Sequence, residues 1–501
     1  MNNKHIRKHG FIRGLHDVPS SSISEGRFGR MFRTLPKAHF DESALTLLAS
    51  AMVAKVEGAP TEETEKDDEE SSIIDAGYTY LGQFIDHDIT FDPASSLQKE
   101  NDPNALVDFR TPRFDLDNLY GRGPDDQPYL YQQDGKKFIL GRTLTGSTVD
   151  NKVQDVQRNS PPSGDKRAII GDPRNDENVI ISQLQAIFLR FHNRMVDEFP
   201  ASDFESIQRL VRWHYQWVVL YDFLPTIIGK IMLETILPNI NKKIDKEHYK
   251  SVINFYKWRN DPFIPVEFSV AAYRFGHSMV RPIYRLNQTI PRLEIFSTDP
   301  LTSLTGFREF PSNWAIDWRL FFDFGNNPNP LSPERIQPAY KIDSSLVNPL
   351  GHLPSSIGGN VPSLAFRNLQ RGVTMGLPSG QAVAKKMGVP VIPDAKLKVG
   401  KANEDGKINN PSIATLHPSF RNNSPLWFYL LAEAQQVFKN NDTPIQLGPV
   451  GGRIVGEVFV GLLQGDKHSF INQDPLWQPL EIFKKNGKFG IAELISAAIA
   501  P

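Results

Sequence analysis

Four short stretches of this 501-residue chain gather side chains that can do chemistry together. The first reads GYTYLGQFIDHDITFDP. As a helix it puts Gln83 and His87 four apart on one face with Asp86 beside them, and it points Asp88 elsewhere. An imidazole titrates near neutrality, so His87 can take a proton and return it within one cycle. The bland alternative is a surface histidine flanked by capping acids. The second stretch, RTPRFDLDNLYGRGP, alternates oxygen-bearing positions: Thr111, the Arg113 carbonyl, Asp115 and Asp117. Hard oxygen ligands at that spacing suit calcium. The loop is not an EF-hand, because the turn glycine and the closing glutamate are missing, and in isolation it also reads as an Asx-rich turn.

The third stretch, GDPRNDENVIISQLQAIFLRFHNRMVDEF, opens a long helix with Arg174 and Glu177 three apart. A guanidinium held in a cavity stabilises charge developing on an oxygen. On a surface the same pair is worth only about a few tenths of a kcal/mol. The fourth, PVEFSVAAYRFGHSMVRPIYRL, carries His277 with Arg274 one turn back on nearly the same face. A lone helical histidine is ordinarily a satisfied core or surface residue.

Helices must position these groups. The pattern predicts them over about 43–56, 75–87, 177–199, 209–237 (one or two), 265–279, 426–439 and 452–463. In the long third helix Ile180, Leu184, Ile187, Phe188, Phe191 and Met195 share a face. Proline at 265 suits a helix start. Strand signals are few and short, no internal repeat is visible, and the 38 prolines and 35 glycines imply many loops. The expected class is mainly α. An N-terminal arm over 1–60 and an acidic linker over 61–72 (TEETEKDDEESS) precede one large helical domain over 73–501.

Bulk properties narrow the function classes. Apolar residues make up 40% and charged residues 23%, which is ordinary globular usage. A net charge of -1 with dispersed Lys and Arg gives no nucleic-acid surface. With no cysteine there are no disulfides, thiolate haem ligands, Cys-based zinc sites or Cys nucleophiles. The twelve histidines are scattered without an HExxH pattern, which argues against a zinc hydrolase. No apolar run is long enough to span a membrane, and the basic N-terminus lacks a secretory core, so a cytoplasmic location or export by a non-standard route is expected.

Taken together the four stretches resemble the animal-type (myeloperoxidase-like) haem peroxidase superfamily, with the character of a cysteine-free bacterial member. The resemblance rests on GQFIDHDITF, the T-x-x-x-D-x-D loop followed by Tyr120-Gly121, GD-x-R-x-x-E with the later HNR tripeptide, YRFGHSMVRP, and N-x-Q-R within FRNLQRGVTMGLP. It implies haem b and calcium as cofactors. His87 would be the distal acid–base, Arg174 the distal guanidinium, and Gln83 the holder of a distal water or halide. Asp86 and Glu177 would form haem esters. His277 would ligate the iron, with Asn368 on its far nitrogen and Arg274 and Arg371 near propionates. Asp88, Thr111, Arg113 through its carbonyl, Asp115 and Asp117 would hold calcium, and His192 would be structural.

Two departures stand out. Asn178 replaces the methionine that chloride-oxidising members bond to a haem vinyl. Thr374 and Met375 stand where members carry an Asp-His pair. The implied reaction is peroxidation through an oxo-ferryl state, with hydrogen peroxide as oxidant and small organic donors, bromide, iodide or thiocyanate as reductants. The rivals are a cyclooxygenase-like fatty-acid dioxygenase and a haem- and calcium-binding scaffold without turnover. The first needs a radical tyrosine three residues before the proximal histidine, where this chain has Arg274.

Overall fold

The computed structural model describes residues 26–55, 70–90, 107–108, 110–245, 247–258, 261–326, 328, 334–403, 409–438 and 445–500. The basic N-terminus and most of the acidic stretch lie outside these residues. Among the described residues nine helices of eight residues or more carry the architecture: α1 (Glu42–Met52), α2 (Gly77–Ile89), α3 (Val179–Glu198), α4 (Phe204–Val218), α5 (Leu364–Thr374), α6 (Gly380–Met387), α7 (Leu426–Ala434), α8 (Pro449–Gly465) and α9 (Ile491–Ile499).

Helix α3 is the axis. Asn178 starts it: its side-chain oxygen accepts from the Ile180 and Ile181 amides at 3.1 and 2.9 Å, satisfying two donors left orphaned at a helix start. The expected single apolar face is too narrow a description. Every residue from Val179 to His192 is buried, because α2, α4 and α9 surround the helix. Its polar members are therefore bonded internally. Gln183 donates to the Trp314 carbonyl (2.7 Å) and accepts from the Ile316 amide (2.9 Å). His192 sits between the Tyr120 hydroxyl (3.0 Å) and the Lys136 carbonyl (2.8 Å), a wholly structural placement. Phe84 of α2 stacks on Phe188 of α3 at 4.3 Å and 7°, which locks the two helices together.

Short strands tie the ends of the site. β1 (Gly26–Gly29) pairs antiparallel with β3 (Val107–Asp108), Gly26 opposite Asp108. It pairs parallel with β4 (Ile264–Pro265), Phe28 opposite Ile264. One strand thus joins the segment leading to the acidic loop and the segment leading to His277. Gly29 permits this, since a Cβ there would stand 2.5 Å from the Phe263 ring. Residues 26–55 pack into the body, with Ala44, Leu45, Leu48 and Met52 of α1 buried against α5. Glu70 at the end of the acidic stretch opens β2 (Glu70–Asp75) and is gripped by Arg281 (2.8 Å) and Arg335 (3.0 Å).

The expected helix over 265–279 is broken. A four-residue turn, Val266–Ser269, is followed by a 3-10 helix, Ala272–His277. In 3-10 geometry residues three apart eclipse, so Arg274 and His277 share a face. The Arg274 side chain donates back to the Ser269 carbonyl at 3.0 Å across the break.

Candidate active site

Helix α2 divides its side chains between two jobs. Gly82, Gln83 and Asp86 keep accessible surface, while Phe84, Ile85, His87, Asp88 and Ile89 are buried. His87 Nδ1 lies 2.6 Å from Asn175 Oδ1. Asn175 donates to Gln185 Oε1 at 2.8 Å, and Gln185 donates to the Asn118 backbone carbonyl at 3.5 Å. A backbone carbonyl only accepts, so the chain of bonds has one direction. Gln185 must turn its NH2 to Asn118 and its oxygen to Asn175, and Asn175 must turn its oxygen to His87. His87 therefore carries its proton on Nδ1, and Nε2 is the basic nitrogen. Burial, helped by the nearby charge of Arg174, holds this imidazole down to about 3, so it is neutral near pH 7. Asn175 and Gln185 were not singled out from the sequence. The adjacency of Asn175 to Arg174 in PRNDE was the available signal.

Arg174 is fixed by its neighbours. Its Nε and Nη2 donate to Asp172 at 3.1 and 2.8 Å, and Nη2 donates to the carbonyls of His87 (3.0 Å) and Thr90 (2.7 Å). The guanidinium thus caps the C-terminal end of α2, where carbonyls lack helical partners. Against burial, the charges of Arg174 and Arg110 hold Asp172 well below the usual carboxylate range. Burial raises Asp86, with Arg174 and Arg274 opposing it, and lifts Glu177 to about 7 against the pull of Arg174. Gln83 donates to Glu177 Oε1 and accepts from Asn178 Nδ2 at 3.3 Å. So Asn178 caps α3 with its oxygen and steadies Gln83 with its nitrogen.

On the other side, His277 Nδ1 lies 2.7 Å from the Asn368 carboxamide of α5. With the amide nitrogen toward the ring, the Asn368 oxygen accepts from Arg274 Nη1 at 3.4 Å. With the oxygen there instead, Nδ1–H donates and Nε2 keeps a free lone pair. Burial, and then Arg274, hold His277 down to about 3, so it is a neutral ligand-type imidazole. The two sides touch: the Tyr273 hydroxyl donates to the Gly82 carbonyl at 3.1 Å, and Asp86 feels the charge of Arg274.

Haem is tested by three features of this region. A Cβ on Gly276, next to His277, would meet nothing within 4 Å, so there is open space beside the ring. Burial is the main influence on Asp86, Glu177, Arg274 and His277, yet each keeps accessible surface, as groups lining an internal cavity do. Finally, Arg371 and Arg367 repel Arg274 and, after burial, lower its pKa, a cationic group that suits carboxylates such as propionates. The residues fit the group.

The acidic loop meets the far face of α2. Asp88, Asp115 and Asp117 can each bring one oxygen within 4.8 Å of the others. Among the described residues the two carboxylate oxygens of buried Asp88 accept no hydrogen bond of ordinary geometry, with the Tyr215 hydroxyl beside them opposing the rise that burial gives its pKa. Burial and then Asp115 and Asp117 push its carboxyl well up, and burial lifts Asp117 to about 7. Thr111 donates to Asp115 at 2.6 Å. Leu116, between the two loop aspartates, has φ +58°, a left-handed conformation costing about 1–2 kcal/mol in a non-glycine residue. A buried carboxylate facing two more, with no cationic side chain bonded to it among the described residues, fits a hard cation. Thr111 and Arg113 belong to the same loop, where the Arg113 amide donates to the Thr111 carbonyl at 2.8 Å.

Comparison with known proteins agrees with the fold and the cofactor class. Residues 96–488 match the family model for the animal haem peroxidase. That match begins after α2, so the distal residues 83–88 stand outside it. The chain is 28% identical over 263 residues to the chorion peroxidase of Drosophila melanogaster, covering 50% of this chain and 29% of that protein. It is 22% identical over 319 residues to human (Homo sapiens) myeloperoxidase, covering 61% of this chain and 38% of that one. The matches span well under two thirds of these relatives' lengths. Among solved structures, peroxidase A from Dictyostelium discoideum superposes with a TM-score of 0.59 at 15% identity, covering 96% of this chain and 94% of that one. The fatty acid alpha-dioxygenase of Oryza sativa gives 0.52 at 14% identity, covering 92% and 78%. At these identities the likeness establishes the fold, a mainly helical peroxidase fold with few short strands.

Proposed function

The chain belongs to the animal haem peroxidase family, and on that premise we propose that it reduces hydrogen peroxide and oxidises small organic donors or halides. The observation that carries the reading is the directed bond chain from Asn118 through Gln185 and Asn175, which leaves a buried, neutral His87 with its basic nitrogen free. His277 would ligate haem iron, held by Asn368, with Arg274 and Arg371 near the propionates. Haem, when bound, supplies the redox equivalents. His87 takes the proton from the peroxide oxygen that binds and gives it to the other oxygen, which leaves as water. Arg174 supplies fixed positive charge beside that transfer and holds the helix end that carries His87. Gln83 holds a water or halide. With Asn178 in place of methionine, bromide, iodide, thiocyanate and phenols are expected to be easier donors than chloride.

The test is an absorption spectrum of the purified chain, ferric and then with peroxide, followed by turnover with iodide and a phenol. A Soret band that shifts with peroxide and donor oxidation is the expected result. A protein that takes up haem without consuming peroxide returns the reading to a scaffold. For the dioxygenase rival, Arg274 occupies the radical position and Tyr273 spends its hydroxyl on Gly82. Oxygen uptake with an unsaturated fatty acid and no peroxide would restore that rival.

Asp86 and Glu177 are proposed to bond haem as esters. Haem is then expected to stay with the polypeptide through acid–acetone extraction. Asp86→Asn or Glu177→Gln should each weaken retention, and the double variant should release all haem. Full extraction from the unaltered chain would refute the links.

Asp88, Thr111, Arg113 (carbonyl), Asp115 and Asp117 are proposed to hold calcium. At calcium 100-fold above its dissociation constant the fold should gain about 2.7 kcal/mol. Chelation should therefore lower the melting temperature of the unaltered chain and leave Asp88→Asn nearly unmoved. Because Asp88 and Asp117 are raised, the latter to about 7, calcium must displace protons as it binds. Affinity should fall as pH drops below 7, and calorimetry in two buffers should register the released protons.

A further inference from the structure

Beyond the cavity, α4 runs into a single π-helical turn, Val219–Phe223, in which the Leu224 amide reaches back to the Val219 carbonyl. Pro225 accounts for it. Proline has no N–H, and its ring collides with the carbonyl four residues earlier, here that of Tyr221. Such π turns are frequent at functional sites.

The turn presents Tyr221 in a cluster of oxidisable and proton-accepting groups. Its hydroxyl lies 2.8 Å from His248 Nε2 and 2.9 Å from the Tyr249 hydroxyl. Its ring stacks on Trp217 at 4.0 Å and 22°. Trp217 in turn meets Trp477 at 6.1 Å, and Trp477 meets Trp213 at 5.5 Å. His248 and Tyr249 are buried, whereas Tyr221 and Trp217 keep partial exposure. Burial lowers His248, so its ring is neutral near pH 7 and can receive a proton. With Tyr249 donating to the Tyr221 oxygen, the Tyr221 proton points at imidazole.

The inner end of this cluster packs against α2 and the segment before His277. Tyr215, two residues before Trp217, meets Phe84 of α2 edge-on at 6.1 Å. Phe223, two residues after Tyr221, meets Tyr273 at 6.4 Å, and Tyr273 bonds Gly82. The stretch from Tyr215 to Tyr221 is only about 9 Å long at the helical rise.

We propose that Tyr221 is a surface oxidation site for phenolic donors too bulky to enter the cavity, with His248 as its proton acceptor. The proposal rests on the peroxidase reading for its oxidant. Tyr221 gives one electron to the haem site after peroxide has been reduced there, and its phenolic proton passes to His248 Nε2. A donor phenol then gives one electron back to the tyrosyl oxygen and loses its own proton to solvent. His248 returns its proton to Tyr221. The net change is one phenol to one phenoxyl radical, one proton and one electron.

Two measurements test this. The purified full chain is photo-oxidised with ruthenium tris(bipyridyl) and persulfate beside a nitroso spin trap, and the adducts are mapped by peptide mass spectrometry. The adduct is expected at Tyr221, lost in Tyr221→Phe and diminished in His248→Gln, which keeps an acceptor but cannot hold the proton. Adducts mainly on other tyrosines, or a yield unchanged in His248→Gln, overturn the dyad. In the second measurement the haem-loaded chain receives peroxide with iodide or with a phenol grafted to a polymer. Tyr221→Phe should keep iodide oxidation and lose oxidation of the grafted phenol. Equal oxidation of the grafted phenol by both proteins, or none by the unaltered chain that oxidises iodide, overturns the site. If iodide too is left unoxidised, it is the peroxidase reading that fails, and the photo-oxidation result alone decides whether Tyr221 and His248 form the dyad.

Discussion

His87→Gln is expected to slow the reaction with hydrogen peroxide by about 10²–10⁴-fold, the usual worth of a positioned acid–base group. Haem content and the ferric spectrum should change little, because His277, not His87, is the proposed iron ligand. Stopped-flow measurement of the Soret change after mixing with peroxide reads the rate directly. The pH profile carries a second signature. His87 must be neutral to accept a proton, and burial holds it to about 3, so the rate should stay flat from neutrality down and fall only as pH approaches 3. Asn175→Asp places a carboxylate where Oδ1 now lies 2.6 Å from Nδ1. An anion there favours imidazolium and raises the histidine pKa, so the acid limb should move to higher pH. A rate within twofold of the unaltered chain in His87→Gln would remove His87 from the mechanism.

His277→Ala is expected to purify with haem content at background and to show no peroxide reaction, while circular dichroism keeps its helical signal. Added imidazole should restore a Soret band by filling the vacated space, to which Gly276 already adds openness. Asn368→Leu tests the support of the ring rather than the ligand. Loss of such a partner costs roughly 10–100-fold in metal affinity or activity. That variant should bind haem more weakly and shift its reduction potential, since the partner sets imidazole basicity. Unchanged haem content and spectrum in His277→Ala would rule out His277 as the ligand.

Local chemistry made much of this legible from the sequence. Helical spacing puts Gln83, Asp86 and His87 together and Asp88 on another face, whereas the structure leaves Gln83 and Asp86 accessible and buries His87 along with Asp88. The alternation of Asp115 and Asp117 reads as an Asx-rich turn or a calcium loop, and in the structure both aspartates face Asp88. Helix existence was readable in the periodic runs of α3 and α8.

What depended on distant partners was not readable. The stretch around His277 has helical periodicity, yet it breaks into a short turn and a 3-10 segment. Contacts to Gly82, Asn368 and Trp427 set its path, because Tyr273, His277 and the Arg274 carbonyl each bond to one of them. The burial of α3 on all sides follows from α2, α4 and α9 closing around it, which no pattern within twenty residues encodes.

The sequence by itself determined which groups can do chemistry and on which local faces they stand, since spacing along one helix or loop is a short-range property. Only the tertiary structure decided the protonation of His87, through an amide chain drawn from residues 118, 175 and 185. It also decided the anchoring of Arg174 on the end of α2 and the meeting of Tyr221 with His248. The physical reason is that hydrogen-bond direction and burial depend on which atoms arrive from elsewhere in the chain, and those arrivals are fixed when the whole core closes.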